Sequence, residues 1–142
     1  MIYVVDASSV LRYTDNEPGA DRVEELLRGA ARGDHEILIS AVNWGEIVGI
    51  LFRNHGLLHA RKIAHNLLAL PITVVPVDAA AAEAAGTFRE NFKVPYADSF
   101  AGSLTLLYSA RRPKDHAILV TADFDFKSVP KATVRIEYLP KK

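Results

Sequence analysis

The sequence contains no cysteine. That one absence removes disulfides, thiolate metal sites and thiol nucleophiles together, and it suits a reducing compartment. It also has no surplus of either charge: 17 Lys and Arg stand against 17 Asp and Glu, for a formal net charge of zero. No global positive field draws in nucleic acid, so any such binding must rest on a local patch. Long hydrophobic runs are missing too. The longest stretch free of Asp, Glu, Lys and Arg covers residues 63–77, which is too short to span a bilayer as a helix and contains Pro71 and Pro76. Residues 1–5 are apolar but have no basic segment before them and are cut short by Asp6, which is not the pattern of a signal peptide. A cytoplasmic protein with no membrane partner is expected. Neither Gly-x-Gly-x-x-Gly nor a phosphate-loop Lys motif occurs, so nucleotide binding lacks its usual cradle.

What remains is an ordinary globular composition. The chain has 142 residues, 49% hydrophobic and 24% charged, the size of a single domain over residues 1–142. Short apolar runs alternate with longer helical patterns. Residues 2–5, 37–39, 72–77, 118–120 and 134–138 read as strands, the last alternating like an edge strand. Val23, Leu26, Leu27, Ala30 and Ala31 give residues 18–32 the spacing of an amphipathic helix closed by Gly33. Residues 43–54 form a helix ending at Gly56, Ala60 to Leu68 repeat the helical spacing, and residues 79–91 are Ala-rich and helical. Pro95 suits the first turn of the next helix, whose apolar face is Phe100, Ala101, Leu104, Leu107 and Tyr108. Strands separated by helical crossovers predict an α/β fold, a central and mainly parallel sheet of about five strands with helices on both faces. Ligands of such sheets bind beyond the carboxyl ends of the strands.

Four carboxylates fall at those ends or at helix starts. Asp6 closes the first strand, Glu46 follows the second, Asp98 opens a helix, and Asp123 follows the fourth strand. Each has a structural use of its own. Asp6 suits a helix cap, Asn43-x-x-Glu46 fits a capping box, Asp98 complements a helix N-terminus, and Asp123 and Asp125 suit a turn. Together they converge if the sheet is parallel. Two unit charges 4 Å apart repel by about 4 kcal/mol at an effective dielectric of 20. No Lys or Arg lies within three positions of Asp6, Glu46 or Asp98. A divalent cation is the natural neutraliser, and an all-oxygen donor set suits Mg²⁺ or Mn²⁺ better than Zn²⁺. Such a site holds metal against a phosphate and activates water.

Asp6-Ala7-Ser8-Ser9, the turn at residues 16–19, the isolated Glu46, the segment Tyr96-Ala97-Asp98-Ser99-Phe100-Ala101-Gly102-Ser103-Leu104 and the segment Thr121-Ala122-Asp123-Phe124-Asp125-Phe126 together resemble a PIN domain. The likeness is to the VapC toxins of type II toxin–antitoxin pairs and runs from Asp6 to Phe126. It implies a three-layer α/β/α fold and a Mg²⁺- or Mn²⁺-dependent endoribonuclease. It also implies a homodimer, and an antitoxin partner that holds the enzyme inactive. On that resemblance Asp6, Glu46, Asp98 and Asp123 match the acidic quartet, with Asp6 and Asp98 the principal metal ligands and Asp123 completing the shell. Ser8 and Thr121 match the small polar positions that line the site and meet substrate. Asp125 is read as an assisting acid or a turn residue.

Other features rank lower. His55 and His59 are four apart, but Gly56 interrupts the helix and no Glu accompanies them, so solvated surface is expected. Arg111, Arg112 and Lys114 form a basic cluster at a helix end, read as a complement to the helix dipole or as a contact to RNA phosphates. Trp44 reads as core. A receiver-like domain with Asp78 at its centre lacks an acidic pair on the first strand. A non-catalytic binding module, its acids docking a basic partner, is the remaining alternative.

Overall fold

The computed structural model describes residues 1–114 and 116–142. Among the described residues five strands form one sheet: β1 (Ile2–Val5), β2 (Glu36–Ser40), β3 (Thr73–Val75), β4 (Ala117–Thr121) and β5 (Arg135–Tyr138). Their order is β3-β2-β1-β4-β5, and every pairing is parallel. The all-parallel α/β sheet agrees with the sequence expectation, and β5 is indeed an edge. The α-helices of the described residues surround it: α1 (Ala7–Thr14), α2 (Ala20–Ala31), α3 (Ala41–His55), α4 (Leu57–Leu68), α5 (Ala79–Phe92) and α6 (Tyr96–Arg111). A 3₁₀ helix, Phe124–Ser128, lies in the β4–β5 crossover. None of the described helices is long and apolar enough to cross a membrane.

Period-two alternation along the strands divides the core into two layers. Val5, Ile37, Ile39 and Val120 face one cluster with Val10, Leu26, Ile47 and Leu67, which places α1 to α4 on that face. Ile2, Val4, Leu38 and Leu119 face the other, with Phe88, Ala101, Leu104 and Phe126 from α5, α6 and the 3₁₀ helix. Trp44 packs against the first cluster, as expected. The α6 helix is buried along an unbroken run from Ser99 to Thr105. A helix enclosed on most sides shows little amphipathic signal. Its buried hydroxyls bond back into the helix, Thr105 Oγ1 to the Ala101 carbonyl at 2.8 Å. Gly102 allows this enclosure, because a Cβ there would collide with the Phe88 ring.

Of the boundaries that differ from the sequence reading, three have a local physical cause. The β3 strand stops at Val75, since Pro76 cannot donate to the ladder. Pro95 stands at the N-cap of α6 rather than in its first turn, with ψ of 150°. Ser40 caps α3 through the amide of Val42, so Asn43 lies inside the helix and the capping-box reading of Asn43 and Glu46 is overturned. The α1–α2 turn reverses through Asn16 and Gly19, with φ of 51° and 96°. Buried Arg12 fastens that turn to the C-terminal segment by donating to the carbonyls of Pro18 and Pro140.

Candidate metal-binding carboxylate site

Because all strands run in parallel, their carboxyl ends share one edge, and the acids follow those ends. Asp6 is the residue after β1 and the N-cap of α1. It is 2% exposed. Its Oδ1 accepts from the Ser9 amide at 3.0 Å, the Ser9 hydroxyl at 3.1 Å and the Ser8 hydroxyl at 2.7 Å, and its Oδ2 accepts from the Thr121 hydroxyl. Burial raises its pKa, and those hydrogen bonds oppose the rise. Asp6 therefore does cap a helix. The same four donors hold its carboxylate in one orientation.

Ser8 and Thr121 bind this edge together. Thr121 is fully buried; its hydroxyl also accepts from the Asp123 amide at 2.9 Å and lies 3.2 Å from the Ser8 hydroxyl. Ser8 accepts from the Ala122 amide at 2.9 Å. These two side chains link the β1–α1 junction to the loop after β4, and so fix Asp6 relative to Asp123.

Asp98 sits in the first turn of α6, where the helix N-terminus favours negative charge. Its pKa is nevertheless pushed up to about 8. Desolvation is the first cause, followed by a hydrogen bond and charge repulsion from Asp123, and then by the charges of Asp6 and Glu46. The other three acids named from the sequence thus all act on Asp98. The tightest group, however, is Asp98, Asp123 and Asp125, each offering an oxygen within 4.8 Å of the others. Asp123 caps the 3₁₀ helix by accepting from the Asp125 amide at 2.9 Å. That turn is what brings Asp125 back toward the cluster, and the Asp123 charge raises the Asp125 pKa. Asp125 is both a turn residue and a member of the group.

Glu46 is oriented by a residue whose part the sequence did not reveal. Asn43 is fully buried, and its Nδ2 donates to Glu46 Oε1 at 2.9 Å and to the Ala97 carbonyl at 3.0 Å. One amide thereby joins α3 to the start of α6. The only sequence signal was the i, i+3 spacing to Glu46, and the contact with Ala97 bridges 54 positions.

Among the described residues none of these five acids forms an ion pair; the salt bridges lie elsewhere. Asp98 Oδ2 is buried with no hydrogen-bond donor. A buried carboxylate oxygen without a donor is costly on its own. It suits a hard divalent cation, and the donor set around it is all oxygen. The other candidates fall outside. His55 and His59 are exposed where α3 meets α4. Asp78 caps α5 through the Ala81 amide. Arg111 and Arg112 lie at the far end of α6, about 20 Å from Asp98 at 1.5 Å per residue. Arg112 pairs there with Glu36 at 2.8 Å.

The PIN domain family model matches residues 3–132. None of the curated proteins is similar enough to this sequence to count as a relative. Among solved structures, the fold is similar to a chain of VapBC2 from Rickettsia felis bound to promoter DNA, at 16% identity over 99% of this chain and 100% of that one, with a TM-score of 0.71. It is similar to DNA-bound VapBC from Salmonella typhimurium at 17% identity over 97% and 98% of the chains, TM-score 0.71. It is also similar to VapC20 from Mycobacterium tuberculosis, described as a toxin that cleaves the sarcin–ricin loop, at 19% identity over 94% and 98%, TM-score 0.62.

Proposed function

The chain belongs to the PIN domain family, and from that premise we propose that it is a Mg²⁺- or Mn²⁺-dependent endoribonuclease, the toxin of a VapC-type toxin–antitoxin pair. The observation that carries this reading is the convergence of Asp98, Asp123 and Asp125, with Asp6 and Glu46 acting on Asp98, and none of the five in an ion pair among the described residues. In this reading Asp6, Asp98 and Asp123 are the metal ligands, and Asp125 adds a fourth carboxylate at the exposed rim. A carboxylate oxygen carries two lone pairs, so Asp6 Oδ2 retains one after accepting from Thr121. The ion would neutralise phosphate charge and lower the pKa of a water molecule.

The chain's own residues do the rest. Thr121, Ser8 and Ser9 hold the Asp6 carboxylate, the kind of outer support that orients a ligand. Asn43 fixes one oxygen of Glu46 and leaves the other to orient water or accept a proton at the scissile phosphate. Ser8 lines the open groove that runs past Asp123, so it is placed to meet the substrate backbone while Thr121 stays buried beneath it. A cognate antitoxin belongs to the same proposal, supported by the likeness to chains solved as VapBC assemblies; a homodimer is proposed with it on the family resemblance.

The test is cleavage of a panel of structured RNAs, with the sarcin–ricin loop first because VapC20 is described as cutting it. Cleavage is expected with Mg²⁺ or Mn²⁺ and not in chelator. Asp98→Asn is expected to abolish it, because an amide is a neutral and weaker ligand. Full activity in EDTA, or full activity of the Asn variant, defeats the metal assignment.

A further inference from the structure

Resting on the ribonuclease reading, we infer that the aromatic pair Phe124–Tyr138 and the cations around it form the track for single-stranded RNA leading into the carboxylate site. Phosphates would be held along β5 and a base stacked beside Asp123.

The argument starts from charge. The whole chain is neutral, but residues 127–142 carry Lys127, Lys131, Arg135, Lys141 and Lys142 against Glu137 alone. Glu137 is taken by Arg22, in two hydrogen bonds of 2.8 and 3.0 Å. Lys142 is taken by Glu17 at 2.7 Å. Among the described residues Lys127, Lys131, Arg135 and Lys141 form no ion pair, and all four are exposed. Lys127, Lys131 and Arg135 line one open groove of about 640 Å³ along β5, and Tyr138 stands at its end. Like charges gathered on one side of a neutral protein attract a polyanion.

Geometry joins that groove to the acids. Tyr138 pairs with Thr121 in the sheet, at the carboxyl edge, while Arg135 pairs with Ile118, three residues and about 10 Å down the strand. Tyr138 stacks on Phe124 with ring centroids 5.0 Å apart and planes 6° from parallel. Phe124 in turn lines a second groove, about 440 Å³, together with Asp123 and Ser8. The stack is thus the divide between a basic groove and the acidic centre. Lys127 and Lys141 place their ammonium groups 5.5 and 4.9 Å from the Phe124 ring centroid. Stacked aromatics bounded by free cations are how proteins bind single strands, with π-faces for bases and charges for phosphates. A polyanion has no reason to approach the acids unaided; this track supplies the attraction that the acidic centre lacks.

Binding is measured by anisotropy of a fluorescein-labelled, mixed-sequence single-stranded RNA in EDTA, where cleavage is absent. The triple variant Lys127→Gln, Lys131→Gln, Arg135→Gln is expected to weaken binding at least tenfold. Each lost phosphate contact is also expected to flatten the slope of log K against log salt by about 0.7. Phe124→Ala is expected to weaken binding roughly tenfold, and Phe124→Tyr to restore it. Arg61→Gln with Lys62→Gln, on α4, is the charge control and is expected to change nothing. Unaltered affinity and salt slope in the triple variant overturn the track. So does poly-glutamate that displaces RNA as well as RNA displaces itself, which would mark the patch as a site for an acidic protein. Cleavage by wild type in Mn²⁺ is scored separately. Wild type that binds through these residues but never cuts keeps the track and removes the nuclease reading; wild type that cuts with the triple variant's affinity intact does the reverse.

Discussion

At Asp98 two opposing influences meet, and the stronger sets how the protein responds to pH. The α6 N-terminus favours the charged carboxylate, by about 0.3–1 kcal/mol for an exposed group. Desolvation and the neighbouring acids outweigh it and push the pKa up to about 8. In the unfolded chain the same group titrates near the ordinary aspartate value of 3.8. Between those values the folded protein binds the proton that the unfolded chain has released, so stability is greatest below about pH 4 as far as this group is concerned. It is lost as pH rises through about 8. In chelator, the melting temperature of wild type is therefore expected to fall from about pH 5 to about pH 9 more steeply than that of Asp98→Asn. Melts at several pH values check this, and parallel curves would show that Asp98 is not in the environment described.

At the scale of elements, one buried amide, that of Asn43, ties α3 to the start of α6. Asn43→Ala removes both of its donated bonds, to Glu46 and to the Ala97 carbonyl. The expected cost is about 1–3 kcal/mol. RNA cleavage is expected to fall further than in a comparably destabilised variant remote from the site, such as Val23→Ala in α2, because Glu46 also loses its orientation. Equal losses of activity in the two variants would reduce Asn43 to a structural tie. This contact also marks the limit of what the sequence discloses. The elements were legible because their periodicity is local: Val23, Leu26 and Leu27 announce α2, and Asp6, Asp98 and Asp123 are conspicuous where strands end or helices begin. The capping-box reading of Asn43 failed because Ser40, three residues earlier, competes for the same end of the helix. Thr121 and Asp125 enter through the family resemblance, Asp125 with a turn as its other reading; the Phe124–Tyr138 stack depends on which strands lie side by side, and no spacing along the chain encodes that. The α6 helix carries little amphipathic signal because it is buried on most sides.

For the molecule as a whole, the convergence of five acids on one edge sets stability against function. The metal-free fold gathers Asp98, Asp123 and Asp125 with nothing but a proton to relieve them. Asp98→Asn keeps the shape and is neutral without taking up a proton on folding, so it is expected to melt higher than wild type in EDTA at neutral pH, by a gain on the order of 1 kcal/mol. A divalent ion reverses the order. An ion that binds only the folded state stabilises it by about 2.7 kcal/mol at a hundredfold excess over Kd. For a chain of this length that is roughly 5–11 °C. Wild type should gain that increment with Mg²⁺ or Mn²⁺, and Asp98→Asn should gain much less, because it lacks the unpartnered Oδ2 that suits the ion. If the acids serve only as helix caps, Asn replaces Asp with little loss and the ion distinguishes neither protein. Thermal melts of the two proteins with and without the ion separate these cases. Equal shifts would mean that the carboxylates meet for structural reasons, and the reading of this edge as a nuclease centre would lose its physical basis.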